Sequence, residues 1–173
     1  MMNQMKPFER AMALAALSGL KVALGPAFLS KGRGRPSARN WILGAMAEMF
    51  LDKVGVFPSR FRPPLLIPHT IAGAWVARES MREDGEDNPW AAPMGAVVAA
   101  GVASVAPMVR IAANKVLGVP DSLLGVAEDY YALQIGTRAM DMSMEEVTEA
   151  AKESIGGLSE SVMPALESVG ARF

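Results

Sequence analysis

The chain has 173 residues, of which 51 % are hydrophobic and only 6 % aromatic, so its apolar surface comes mainly from small residues and 13 methionines. The net charge of −1 excludes the global basic field expected of a nucleic-acid-binding domain. The absence of cysteine excludes disulfides, thiolate metal sites and thiol catalysis. Small residues let helices approach closely, which is typical of membrane bundles but also of soluble Ala-rich bundles.

Five apolar segments separated by polar loops predict an all-α protein of one domain's length. The first segment covers residues 11–30, and we expect one helix whose end is kinked by Pro26. A basic, Gly-rich loop leads to the second segment at residues 40–56. A proline-rich connector then leads to the third segment at residues 65–81, with Pro68 in its first turn.

The fourth segment, residues 90–117, follows an acidic loop and includes most of a run without charge that is long enough to cross a bilayer. Trp41 and Trp90 stand at segment starts, where aromatic residues mark membrane interfaces. The fifth segment covers residues 121–139. Residues 1–140 are therefore predicted to form a helical membrane bundle of four or five spans.

Residues 141–173 form a separate C-terminal region with mostly acidic charges. Ser143 and Glu146 have the spacing of a capping box, and apolar residues follow at steps of three and four. We expect one amphipathic acidic helix, or a pair broken at Gly156 and Gly157. An acidic face has the wrong sign for anionic lipid, so it is expected to pack on the basic loop of residues 31–39 or on a partner protein.

Ionisable residues inside the apolar segments form the candidate site, because a charge in such a place is costly unless it is paired or faces water. Lys21 is expected to pair with Glu48, and Arg110 with Glu128. Glu48 and Asp52 share one helical face and could instead bind a cation or share a proton. Neutralisation is the favoured interpretation. The complete set of candidate residues is Lys21, Glu48, Asp52, Lys53, Arg110, Glu128 and Asp129.

No residue pattern indicates a catalytic, cofactor-binding or metal site, and an enzyme is the less favoured expectation. A single histidine without cysteine makes a transition-metal site improbable, so His69 is interpreted as a capping or interfacial residue. The basic loop of residues 31–39 is expected to contact anionic lipid rather than nucleic acid.

A short sequence similarity between two parts of the chain suggests an inverted repeat. Leu-Gly-Ala-Met-Ala-Glu at residues 43–48 resembles Leu-Gly-Val-Ala-Glu at residues 124–128, and each lies one helix after a lone cation, Lys21 or Arg110. Two such halves would run in opposite directions across a membrane, as in many transporters. If the loop of residues 31–39 is cytoplasmic, nine basic residues lie on its side against six on the other, a weak positive-inside signal.

Six segments along roughly residues 11–138 form a set of motifs: Ser18-Gly-Leu-Lys21, Glu48-Met-Phe-Leu-Asp52-Lys53, Pro68-His-Thr-Ile-Ala-Gly73, Arg110, Lys115 and Glu128-Asp129. Together they resemble a family of small bacterial multi-pass membrane proteins described as a domain of unknown function. The resemblance implies an integral membrane protein without implying an activity. This chain has lysine at position 21 where the family has arginine, and a longer spacing before Pro58.

The sequence thus predicts a protein of the bacterial inner membrane with paired charges inside a helical bundle and a transport- or channel-related role. Membrane lipid is the expected partner, with a homo-oligomer or a partner protein at the acidic C-terminal helix as further options, and no cofactor is expected. The alternative is a soluble all-α scaffold that binds a partner through that acidic helix.

Overall fold

The structure is a computed structural model that describes residues 5–53 and 63–170, with side chains described over residues 5–53 and 66–158. These residues form seven helices and no strand, which confirms the all-α prediction. The helices are α1 (Pro7–Leu20), α2 (Leu24–Gly32), α3 (Ala38–Lys53), α4 (Pro63–Glu83), α5 (Ala91–Leu117), α6 (Asp121–Ala139) and α7 (Met144–Gly170).

The first apolar segment forms a helical hairpin, so the prediction of one helix over residues 11–30 is wrong. α1 ends at Leu20, and after a break at residues 21–23 α2 turns back along it. The two helices touch closely, since a Cβ atom on Gly25 would overlap the carbonyl oxygen of Leu14 and the hydroxyl of Ser18. Pro26 is the third residue of α2, where a helix has no partner for the backbone N–H, so no kink results.

Both open ends of this hairpin meet at Asp84, which directly follows α4. The guanidinium groups of Arg10, near the start of α1, and Arg33, just after α2, both hydrogen-bond to the Asp84 carboxylate. Arg10 Nε also donates to the carbonyl of Ala139, the last residue of α6, at 2.8 Å. We call this the proximal end of the bundle, and the hairpin tip at residues 21–23 points toward the opposite, distal end.

Small residues let the helices around the hairpin pack with their backbones nearly in contact. α4 and α5 cross at Gly73 and Gly95, where a Cβ atom on either residue would overlap the other's carbonyl oxygen or an alanine methyl group. Gly19 of α1 meets the backbone of Ala99 of α5 in the same way. Such contacts are typical of membrane helices, where close van der Waals packing holds helices together. α2 packs on α3, and α7 lies across α3.

The outer surface of the bundle is apolar over much of α4, α5 and α6. α5 is the one described helix that is long and apolar enough to cross a membrane, and only 11 % of its most apolar window is buried. The finer prediction of four or five spans goes beyond this observation. The large apolar side chains exposed on these helices include Ile67, Ile71, Met94, Val97, Val105, Met108, Val109, Ile111, Leu123, Val126 and Ile135.

Other predicted details differ from the structure. α7 runs unbroken through Gly156 and Gly157. α4 begins at Pro63, so Pro68 lies inside the helix rather than in its first turn. The two halves of the suggested inverted repeat differ in their first element, because Lys21 lies in a hairpin whereas Arg110 lies in an unbroken helix of 27 residues. The connector at residues 57–62 lies outside the described residues.

Candidate functional site: a buried charge cluster at the hairpin tip

The hairpin tip leaves backbone groups without helical partners, and side chains from α3 and α4 supply them. The Glu48 carboxylate of α3 accepts hydrogen bonds from the backbone N–H groups of Val22 and Ala23, at 2.7 and 2.9 Å. His69 Nδ1 of α4 lies 2.7 Å from the carbonyl oxygen of Ser18. Because a carbonyl only accepts, this Nδ1 carries the proton. Two neighbouring helices therefore stabilise the break in the chain.

Lys21 at the tip is among the most deeply buried side chains described, with 2 % of its side chain exposed. Its Nζ lies 3.1 Å from Asp52 Oδ2, 3.5 Å from Asp129 Oδ1 and 3.6 Å from Glu128 Oε1. A buried ammonium group is tolerated only when it is paired. Carboxylates from α3 and α6 provide that pairing and so hold the hairpin tip between these two helices.

Arg110 of α5 joins the same cluster from the other side. Its NH1 atom lies 2.9 Å from Asp52 Oδ2 and 3.7 Å from Glu128 Oε2. Its NH2 atom lies 2.7 Å from Asp121 Oδ2 at the start of α6. The guanidinium packs directly over Gly125, where an added Cβ atom would come within 3.1 Å of NH2. Gly125 thus leaves room for the arginine to lie flat against α6.

Exposure increases through the cluster toward the distal end. The Asp52 side chain is 11 % exposed and lies next to the nearly inaccessible Lys21. Lys53, which hydrogen-bonds to Asp129, is 35 % exposed, and Asp121 is 62 % exposed. The cluster therefore has an open side at the distal end and a closed side at the hairpin.

The structure links six of the seven candidate residues in one cluster, and the seventh, Glu48, binds the backbone of the tip beside it. The two cations, for which separate partners were expected, are joined through Asp52, which bonds to both Lys21 and Arg110. The expected contact between Arg110 and Glu128 is present at 3.7 Å. Glu48 binds the backbone of the tip instead of Lys21, because the turn of the chain exposes two N–H groups that the carboxylate satisfies. The acidic pair of Glu48 and Asp52 therefore serves two separate partners.

Some contributing residues were not predicted. Asp121 was not among the candidate residues, although its carboxylate binds Arg110. Arg10 was not among them either, although with Asp84 it closes the base of the hairpin. Their common signal is that each lies at a helix end, where long-range partners are not visible in a helical repeat pattern.

Within the cluster, Lys21 and Arg110 each interact with more than one carboxylate. Glu128 Oε1 is buried and has no hydrogen bond within the described residues, while its nearest cation is Lys21 at 3.6 Å. The loss of any one of the three carboxylates near Lys21 would therefore change its pairing. In the described part of the chain, no group of three His, Asp or Glu side chains is arranged to hold a metal ion.

Comparison with known proteins gives no identification: no protein-family model, curated protein or solved structure matches this chain. The resemblance to a family of small membrane proteins therefore stays a prediction, and function has to be argued from the geometry itself.

Proposed function

We propose that the protein is an integral protein of the bacterial inner membrane with a transport-related role, and that the charge cluster is its polar centre. The observation that carries this proposal is the distribution of polarity. Charged side chains such as Lys21 and Asp129 are buried at the hairpin tip, while Val97 and Val105 of α5 are exposed. This distribution is the reverse of the one expected in water, and it suits a hydrocarbon solvent around the bundle.

The exposure of α5 argues for lipid contact specifically. A long apolar helix in a soluble protein is normally the buried core helix, or else an N-terminal signal sequence. α5 begins at Ala91 and is mostly unburied, so neither explanation applies. Its exposed Val97, Val105 and Met108 lie on a surface that a bilayer would cover.

The hairpin suits a membrane interior because its break is fully supported by protein. Irregular backbone at membrane depth is tolerated only where it is buried in protein or lines a polar cavity. Glu48 and His69 supply the partners at this break, and the charged groups of the cluster surround it. Discontinuous helices with ends near the bilayer midplane form the binding sites of many transporters.

Helix lengths fit four crossings with the hairpin inserted between them. α4, α5 and α6 have 21, 27 and 19 residues, against about 20 needed to cross the hydrocarbon core. α3, with 16 residues, is the shortest of the four. In this arrangement the α1–α2 hairpin enters from the proximal end and returns to it.

The hairpin also strengthens the positive-inside signal. Because the chain turns back, Lys6 and Arg10 lie at the same end of the bundle as the basic loop. A single helix across the membrane would place them on the side opposite to that loop. At the distal end the described residues hold Lys53 and Lys115. We therefore assign the proximal end to the cytoplasm. The described basic residues at the proximal end are Lys6, Arg10, Lys31, Arg33, Arg35, Arg39, Arg78, Arg82, Arg138 and Lys152.

Single-cysteine labelling tests membrane insertion cleanly, because the chain has no cysteine of its own. Val97→Cys in inside-out membrane vesicles, whose cytoplasmic face is turned to the buffer, is expected to resist a water-soluble maleimide, since the thiol would face lipid and could not ionise. Glu86→Cys in the exposed proximal loop is the matched control and is expected to react. Equal labelling of the two variants in native membranes would overturn the membrane assignment.

Proton flux into liposomes that contain the purified chain and a pH-sensitive dye tests the transport role. Asp129→Asn is expected to reduce a flux carried by the wild type, because it alters carboxylates shared by Lys21 and Lys53. The control Glu149→Gln changes an exposed carboxylate of α7 and is expected to leave the flux unchanged. A wild-type rate equal to that of empty liposomes would reject proton transport and leave membrane insertion standing.

A soluble scaffold is the second candidate, and two observations favour it. α5 is the one described helix that passes as a membrane span, and α7 exposes Glu145, Glu149 and Glu153 to a partner. Extraction of the chain from cell membranes discriminates the two candidates. Release into buffer without detergent would support the scaffold, and recovery only with detergent would reject it.

A further inference from the structure

We propose that the cavity between α2, α3, α6 and α7 binds part of one acyl chain of a zwitterionic, amine-bearing phospholipid such as phosphatidylethanolamine, while the rest of that chain stays in the bilayer. The cavity has a volume of about 230 Å³. Among the described residues that line it, Lys31 and Thr148 are polar and the others are apolar. This inference rests on the proposed membrane location, because it takes its ligand from the surrounding bilayer.

Hydrocarbon is the chemistry that fits the cavity walls. Water would find almost no hydrogen-bond partners there, and apolar cavities of about 150 Å³ bind small hydrocarbons such as benzene. Four of the lining side chains are flexible thioethers that adapt to an irregular or mobile ligand. An acyl chain supplies such a shape. The four methionines are Met46, Met49, Met142 and Met144.

The charges at the rim favour a headgroup that carries both signs. Lys31 is 37 % exposed, and its Nζ lies 3.8 Å from Glu153 Oε2, whose side chain is 72 % exposed. An exposed pair at this distance is weak, so it opens at little cost. Lys31 can then bind a lipid phosphate while Glu153 accepts a hydrogen bond from the headgroup ammonium. A purely anionic headgroup would meet Glu153 with the same sign.

The test measures lipid retained by the full chain after purification and delipidation in detergent. Dioleoyl phosphatidylethanolamine, phosphatidylcholine, phosphatidylglycerol and oleic acid are added separately, and bound lipid is counted by native mass spectrometry. We expect phosphatidylethanolamine to be retained about fivefold more than phosphatidylglycerol, the ratio set by one exposed ion pair. Equal retention of all four probes, or a preference for oleic acid, would overturn the proposal.

Three variants assign the site. Ala151→Phe fills the cavity and is expected to abolish retention, whereas Ala127→Phe on the exposed face of α6 is the control and should not. Glu153→Gln is expected to remove the preference for phosphatidylethanolamine over phosphatidylglycerol without loss of folding, because its side chain is exposed. Retention of the preference in Glu153→Gln, or full binding in Ala151→Phe, would contradict the assignment.

Different experiments would reject the lipid-binding proposal and the proposed membrane location. Lipid retention is read on purified protein, whereas membrane location is read by labelling and extraction. Release of the chain without detergent would reject the membrane assignment whatever the lipid result.

Discussion

The hairpin has ion pairs at both of its ends, but the two ends place them in different surroundings. At the base, the side chains of the Arg10–Asp84 pair are 14 % and 8 % exposed, whereas those of Arg33 and Arg35, which also bind acidic residues at the end of α4, are 29 % and 21 % exposed. At the tip, Lys21 is 2 % exposed and has three carboxylates within 3.6 Å. The chemistry of the groups is the same, so solvent access decides what each pair contributes.

This difference in exposure indicates two roles: the ion pairs at the base anchor the hairpin, and those at the tip form the polar centre. The proximal pairs fix the basic loop to α4, where Arg35 also lies 5.8 Å from the ring centroid of Trp75. Partly exposed pairs of this kind are screened by salt and contribute modestly. The tip pairs are shielded from solvent, so the loss of one partner leaves another charge uncompensated. We expect variants to rank by this burial, from the tip outward.

The largest effect is expected for Lys21→Met. It removes the ammonium from between Asp52, Glu128 and Asp129, and a broken buried pair costs roughly 3–5 kcal/mol of unfolding free energy. Thermal unfolding in detergent measures the loss. Lys115→Met, at an exposed position near the end of α5, is the control and should change little. A Lys21→Met protein as stable as the wild type would show that solvent reaches the tip.

A smaller but local effect is expected for Glu48→Ala. The change leaves the N–H groups of Val22 and Ala23 without their acceptor, and because only Ala23 is fully buried the total cost is expected to be about 1–3 kcal/mol. Amide hydrogen exchange at these two residues should become faster, while exchange in the middle of α5 should not. Glu48→Gln keeps one acceptor oxygen, so its exchange rates at these two residues are expected to lie between those of the wild type and those of Glu48→Ala. Unchanged exchange at the tip in Glu48→Ala would contradict the role given to Glu48.

Sequence reasoning predicted which charges matter better than it predicted their partners. A charge inside an apolar segment is visible in the sequence because its cost is local and independent of the fold. Lys21, Asp52 and Glu128 were identified in this way. Their partners depend on helix directions, and the sequence does not show that the chain reverses at residues 21–23. Ser143 and Glu146 were predicted correctly as a capping box because that motif is complete within four residues.

There is a physical reason why the sequence did not predict the hairpin. Its break contains lysine, valine and alanine, none of which ends a helix by itself, and the nearest proline lies inside α2. The turn is supported instead by Glu48 and His69, which lie far along the chain. His69 was expected to cap a helix or to sit at an interface, and it does satisfy a helix end, although that end belongs to α1 rather than to its own helix.

At the base of the hairpin, Asp84→Asn is expected to have an intermediate effect. Asp84 is 8 % exposed and binds both Arg10 and Arg33, so the loss should be about 1–3 kcal/mol, the usual range for hydrogen bonds to charged groups. The difference from wild type should shrink in high salt, because the arginines are partly exposed, whereas the effect of Lys21→Met should not. Asp87→Asn in the exposed loop is the control. Equal salt dependence at both ends would erase the distinction between them.

The smallest effect is expected at Glu146, a fully exposed charge far from the tip. The backbone N–H of Ser143 donates to its carboxylate at 2.6 Å, and this hydrogen bond holds the pKa of Glu146 below its usual value. The folded protein therefore favours the ionised form more than the unfolded chain does. The resulting stabilisation is fully present above the unfolded pKa and is lost as pH falls through the folded pKa.

Glu146→Gln should lack this pH dependence. The difference in melting temperature between wild type and variant is thus expected to be small at neutral pH and to vanish in acid, below the folded pKa. Ser143→Ala removes the other half of the capping box and serves as a second variant, with a typical cost of about 1 kcal/mol. A difference that grew in acid would mean that Glu146 is stabilised in its protonated form. It would also mean that burial is not what separates the weak charges of this protein from the strong ones.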